Sequence, residues 1–146
     1  MSRPRHLSPA TAAILRAVIA AIRPRGHGFD QPIEEEVLLE IDRSLPFFPR
    51  SMQRMFPLGL HVLEWSPLLF TGSATRLTRM GREETERYFD GWLHSRLAPR
   101  RMLALGVRAL VYLAFFQHPT VLEAMEVRWG ERVSETVRLR AATLSS

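Results

Sequence analysis

Apolar positions along this chain recur at helical spacing, and prolines mark where the helices begin. Ile14, Leu15, Val18, Ile19 and Ile22 form one stripe, which predicts a first helix from Pro9 to Ile22 with Ser8 as its N-cap. Pro24, Gly26 and Gly28 then predict a loop. A second helix opens at Pro32 behind Asp30, with Glu34, Glu35 and Glu36 in its first turns, where carboxylates favour the positive dipole end. Ile33, Val37, Leu38 and Ile41 give that helix one apolar face. A third helix is expected from Pro49 to Trp65, kinked or split at Pro57, followed by a short turn at Leu68–Phe70 and a break at Gly72 and Ser73.

The fourth helix, from Arg82 to about Ser95, is the most sharply two-sided. Tyr88, Phe89, Trp92 and Leu93 fall on one side; Arg82–Glu86 and Glu83–Arg87 stand at ion-pair spacing on the other. The fifth, from Pro99 to Gln117, is apolar nearly all round between Met102 and Phe116, so neighbouring helices are expected to surround it. A sixth runs from Pro119 to about Val127, and a polar helix from Glu131 to Ala142 ends the chain. That tail, residues 131–146, has only Val133, Val137 and Leu144 as anchors and is expected to dock loosely or fray. Strand-type alternation never lasts beyond four residues, and no segment repeats. The expected fold is therefore all-α: one domain over residues 1–146, of six or seven helices around the helix of Met102–Phe116.

Composition narrows the chemistry more than it names it. With 46% hydrophobic residues among 146, the chain is long enough to bury a core and is not of a disordered class. It has no cysteine, which excludes disulfides, thiolate metal sites and cysteine nucleophiles. All 20 basic residues are arginine, and the net charge is +5. The arginines are dispersed among glutamates instead of massed on one segment, which argues against a nucleic-acid interface. Arg16 interrupts the apolar N-terminal run, so a helix of a cytoplasmic protein is expected there and not a signal peptide. The Met102–Phe116 run contains Arg108 and is shorter than the ~20 residues of a membrane span.

Catalytic templates find nothing. His61 and Glu64 make one reversed His-x-x-Glu pair, not the paired Glu-x-x-His set of a di-iron bundle. There is no zinc-protease His-Glu-x-x-His and no Gly-x-Ser-x-Gly elbow. Gly26-His27-Gly28 follows a helix instead of joining a strand to one, as a phosphate loop would. Trp65 and Trp92 are expected in the core. Arg100 and Arg101 sit just inside a helix start, where cations oppose the dipole, so at least one should pair with an acid, either of this chain or of a partner. His118, at the end of the fifth helix, has two readings: a bond to the terminal carbonyls, or a contact with a partner or ligand beside Tyr112, Phe115 and Phe116.

The order of these elements resembles a known family. Leu63-Glu64 with Pro67-Leu68-Leu69, then Arg79-Met80-Gly81-Arg82-Glu83-Glu84 leading to Trp92, Ser95-Arg96-Leu97, Arg100-Arg101, Leu110-Val111-Tyr112 and Phe115-Phe116 with His118-Pro119 carry the likeness. Between about Leu58 and Met125 the chain resembles the small helical accessory module of flavin-dependent glucose–methanol–choline oxidoreductases. That module includes subunit 3 of gluconate 2-dehydrogenase and the helical region of long-chain alcohol oxidases. Gly81-Arg82 stands where the family often has Ser or Thr followed by Pro, and the twin-arginine signal of its secreted members is absent from this sequence.

The resemblance implies a non-catalytic small subunit that binds and stabilises a larger flavoprotein dehydrogenase of alcohols, sugars or sterols. FAD would be carried by that partner; no cofactor, metal or catalytic residue is expected on this chain. Arg96, Arg100, Arg101, His118 and Trp129 stand at expected helix ends and are the residue types that dominate interface hot spots, so they are the expected contacts. Two other classes remain open at this point. One is a stand-alone module holding a lipid or sterol beside Tyr112, Phe115 and Phe116; the other is a helical nucleic-acid-binding regulator.

Overall fold

Ser8 opens the first helix as its spacing requires: its hydroxyl accepts the Thr11 N–H at 3.2 Å, and Pro9 stands where a missing N–H costs nothing. The computed structural model describes residues 3–24, 32–70, 72 and 75–145. It contains α1 (Pro9–Ile22), α2 (Glu34–Ser44), α3 (Arg50–Phe70), α4 (Arg82–Leu93), α5 (Ala98–Phe116) and α6 (Pro119–Leu144). Short 3-10 turns occupy Leu45–Phe47 and Leu77–Arg79, and no strand occurs among the described residues. The chain is all-α. Gly26, Gly28 and His27 of the expected loop, Asp30 ahead of α2 and Ser73 of the expected break lie outside the described residues.

α2 starts at Glu34, two residues after the expected Pro32, and three larger differences concern α3 and α6. α3 runs through both Pro57 and Pro67 without a break. An interior proline costs about 3 kcal/mol, but Phe56, Leu60, Leu63 and Pro67 form one buried ridge whose burial is lost if the helix divides. The turn expected at Leu68–Phe70 is the end of that same helix. α6 continues past Gly130 to Leu144, so the two expected short helices are one of 26 residues. A single glycine costs about 1 kcal/mol against alanine, too little to end a helix flanked by Glu, Arg, Met and Leu. The Arg82–Glu86 and Glu83–Arg87 ion pairs are not made among the described residues.

The centre of the fold is α1, not α5. α1 packs against α2, α3, α4 and the Leu77–Arg79 turn, and Leu15, Val18 and Ile19 are sealed completely. α5 packs against α2, α4 and the start of α6 through Ala104, Val107, Leu110, Val111, Ala114 and Phe115. Its opposite side leaves Met102, Leu105 and Leu113 in solvent, so its all-round apolar pattern is only half used for the core.

Polar residues lock this packing at its ends. The buried Asp42 carboxylate accepts the backbone N–H groups of Arg5 (2.8 Å), His6 (2.9 Å) and Leu7 (2.9 Å), which pins the segment ahead of α1 onto α2. At the far end of α1 the buried Arg23 guanidinium pairs with Glu34 at 3.0 Å and lies over the Phe115 ring. Glu64, buried on α3, accepts the Thr78 N–H at 3.0 Å and its hydroxyl at 2.6 Å, holding the Leu77–Arg79 turn in place. Thr11 on α1 bonds the His61 ring on α3 at 3.0 Å, and Ser66 on α3 bonds the Tyr88 hydroxyl on α4.

Leu15→Ala should cost about 3–5 kcal/mol in chemical denaturation, and Leu110→Ala nearer 2 kcal/mol, because the α1 site has no free side into which neighbours can relax. Equal costs would return α5 to the centre. Asp42→Ala orphans three backbone donors and should cost about 2–4 kcal/mol. The exposed Arg16–Glu35 bridge between α1 and α2 should behave differently. The hydrogen bond from Arg16 holds the Glu35 carboxyl below its ordinary range, so its contribution is present above the unfolded carboxylate pKa and is lost as pH falls through the depressed folded value. Both partners are about half exposed, so Glu35→Gln should cost below about 1 kcal/mol at neutral pH and nothing in strong acid, measured by urea denaturation at the two pH values.

Candidate docking surfaces

An apolar helix normally turns its apolar face inward, and α3 does so through Phe56, Leu60, Leu63 and Pro67. It also carries a second apolar face. Met55, Leu58, Val62, Trp65 and Leu69 follow one another at steps of three and four residues, and all five are exposed. Scattered surface leucines are ordinary; a helical stripe of five large apolar side chains is the pattern of a contact surface. Trp65, expected in the core, is 47% exposed within this stripe, with the Arg76 guanidinium 5.1 Å from its ring centre. Leu103 of α5 packs so closely over Gly59 that a methyl group there would overlap it, which brings α5 with its exposed Met102 alongside α3.

The free charges of α3 and α5 are of one sign. The sole acid of α3, Glu64, is buried and engaged, and α5 has none, whereas Arg50, Arg54, Arg100 and Arg101 stand on the two helices. Arg100 is held by rings. Its guanidinium carbon is 4.7 Å from the Phe70 ring centre and 4.7 Å from that of Trp92, which is buried as expected. Arg101 donates to the Ser95 carbonyl at 3.0 Å. Neither arginine forms an ion pair within the chain among the described residues. The aromatic faces and the carbonyl supply the negative potential that offsets the helix dipole.

The five expected contacts do not form one patch. Arg96, Arg100 and Arg101 share the corner between α4 and α5, while His118 and Trp129 lie beyond the opposite end of the 19-residue α5. Arg96 and Trp129 are exposed. His118 is an N-cap and not a partner of terminal carbonyls. A residue before proline is steered out of helical backbone, and His118 takes φ −68°, ψ 132° ahead of Pro119. Its Nδ1 accepts the Thr120 N–H at 3.2 Å, so Nε2 carries the proton and donates to Glu36 at 2.9 Å. α6 thereby leaves α5 at 76°, and from Trp129 to Ser145 every residue is exposed. The expected loosely held tail is a regular helix that stands off the body.

Sequence reasoning missed the locking roles of Asp42, Glu64 and Arg23. The signal was present: Asp42 falls four residues after Leu38 and Glu64 four after Leu60, so each carboxylate sits on a buried stripe and needs local donors. No group of three or more His, Asp or Glu able to hold a metal occurs among the described residues. The groove beside Tyr112 holds about 130 Å³, lined by Ile22, Phe89, Asp90, Leu93 and Arg108 among others. That is below the roughly 300 Å³ from which small-molecule pockets begin. Phe115 and Phe116 meet edge to face at 5.3 Å, and Tyr112 and Phe116 at 6.0 Å. Among the described residues no single helix is long and apolar enough to cross a membrane.

Arg100→Ala should cost about 1–2 kcal/mol in thermal or urea unfolding, because the desolvated cation leaves both rings. Arg100→Lys should recover only part, since an ammonium cannot stack flat between them; full recovery would reduce the clamp to simple charge. Compared with known protein families, curated proteins and solved structures, the chain matches none, so its own surfaces carry the functional reading.

Proposed function

We propose that this chain is a non-catalytic accessory subunit that docks through the outward face of α3 onto a larger flavin-dependent oxidoreductase and stabilises it. The observation that carries the reading is the exposed stripe of Met55, Leu58, Val62, Trp65 and Leu69. This stripe faces water on a helix whose opposite ridge is buried, away from any free carboxylate of α3 or α5. The fitting partner offers an apolar groove with an acidic rim. Trp65 would be its central anchor, as tryptophan is among the residues that dominate interface energetics.

The resemblance of residues 58–125 to the small modules of glucose–methanol–choline oxidoreductases supports a flavoprotein as that partner. On this reading FAD and the catalytic groups reside on the larger subunit. Arg96 and Arg101 border the contact, whereas Arg100 serves mainly to tie α3, α4 and α5 together.

Co-expression with a glucose–methanol–choline flavoprotein from the same genome should raise that enzyme's soluble yield and flavin content, and the two should co-purify. Val62→Glu with Leu69→Glu alters exposed positions only, so the isolated subunit should keep its unfolding temperature while the complex weakens by at least about a hundredfold, as for lost hot-spot contacts. Co-purification unchanged by this pair would remove α3 as the docking face. An oxidoreductase equally soluble, flavinylated and active without the chain would remove the function itself.

A further inference from the structure

α6 carries its own unpartnered face. Leu122, Trp129, Val133, Val137 and Leu144 are exposed along one side of the helix, with two charged residues, Glu126 and Arg140, set into the same stripe. The seven positions 122, 126, 129, 133, 137, 140 and 144 are separated by steps of four, three, four, four, three and four. That spacing reads the same from either end, with Val133 at the middle. A two-fold axis through Val133 therefore places Leu122 opposite Leu144, Trp129 opposite Val137, Val133 opposite itself, and Glu126 opposite Arg140.

We propose that α6 pairs antiparallel with α6 of a second copy of this chain, in the register set by that axis. Each layer then joins apolar to apolar or acid to base, which is the self-complementarity a two-fold interface demands. The two charges that interrupt the stripe are the ones that meet. In a helix pair such polar layers fix register at some expense of stability. Parallel pairing would set Glu126 against Glu126 and Arg140 against Arg140, and is rejected by the same charges.

The surrounding structure leaves room for this contact. Val121 is the only buried residue of α6, and the helix departs from α5 at 76°. At its base a concavity of about 280 Å³ is lined by Phe116, Met125, Arg128, Trp129 and Arg132. Ala141 and Leu144 of the second copy come down over that concavity when the axis passes through Val133. The 23 residues from Leu122 to Leu144 span about 33 Å of helix. Side by side over that length, two such helices reach the low end of the ~1,200–2,000 Å² that stable interfaces bury. The contact uses neither α3 nor the flavoprotein, so it stands or falls apart from the accessory reading.

Sedimentation equilibrium of the full chain alone, from about 1 to 100 μM, tests it. The wild-type chain should be dimeric by about 10 μM, in the range of weak specific interfaces. Arg140→Glu sets a carboxylate against Glu126 of the second copy and should weaken the dimer at least about tenfold, with helix content by circular dichroism unchanged. Glu126→Arg combined with Arg140→Glu restores an acid opposite a base and should bring the affinity back to within about threefold. A wild-type chain monomeric at 100 μM, an Arg140→Glu variant as tightly dimeric as wild type, or a double variant no tighter than the single one would each overturn the proposal. So would a monomer that binds anionic phospholipid vesicles through α6.

Discussion

Three consecutive backbone N–H groups, of Arg5, His6 and Leu7, converge on the carboxylate of Asp42, and that convergence decides how α1 lies on α2. A carboxylate is costly to bury unless its oxygens are saturated by donors, and backbone donors are costly to bury unless they find acceptors. Each satisfies the other here, so the pairing admits little slippage. The opposite end of the same helix pair is closed by Arg23 and Glu34. With both ends fixed, the stripe of Leu15, Val18 and Ile19 faces the space that α3 and α4 must fill. The remaining polar ties, Thr11 to His61 and Ser66 to Tyr88, set those helices at their heights on α1 and on each other.

The elements that could be read from sequence were those whose local and tertiary requirements agree. α1 has a serine cap, a proline in its first turn and a stripe confined to one side, and its observed bounds match Pro9–Ile22. α4 and α5 were legible for the same reason, within two residues at their ends. Disagreement between levels hid the rest. Pro57 and Pro67 are local breakers, but the ridge from Phe56 to Pro67 is tertiary and stronger. Hydropathy made α5 look like the central helix because periodicity reports apolar residues, not what covers them. Its exposed Met102 and Leu113 and the exposed Trp65 of α3 belong to surfaces, where an apolar residue has the same signature as one in the core. Of the expected contacts, the corner of Arg96, Arg100 and Arg101 was legible as a cluster because it is local in sequence. That Arg100 is occupied by Phe70 and Trp92 was not, since Phe70 lies thirty residues away.

The two unpartnered apolar faces have different origins. The α3 face exists because that helix is apolar on two sides and the body has room for one; the α6 face exists because the helix leaves the body altogether. His118 makes the second possible. Proline after it forces extended backbone, the imidazole then caps the first turn of α6, and its other nitrogen is held by Glu36 of α2. An elbow fixed by two bonds sends α6 outward at a set angle instead of letting it fold back over α5. An isolated helix of ordinary composition is marginal in water. The polar residues of α6 supply no burial of their own, so its apolar side is where covering it yields most. The α3 stripe has the body behind it and needs no partner to remain helical. On these physical grounds a contact through α6 changes the stability of the helix itself, whereas a contact through α3 adds a partner to a surface that is already formed.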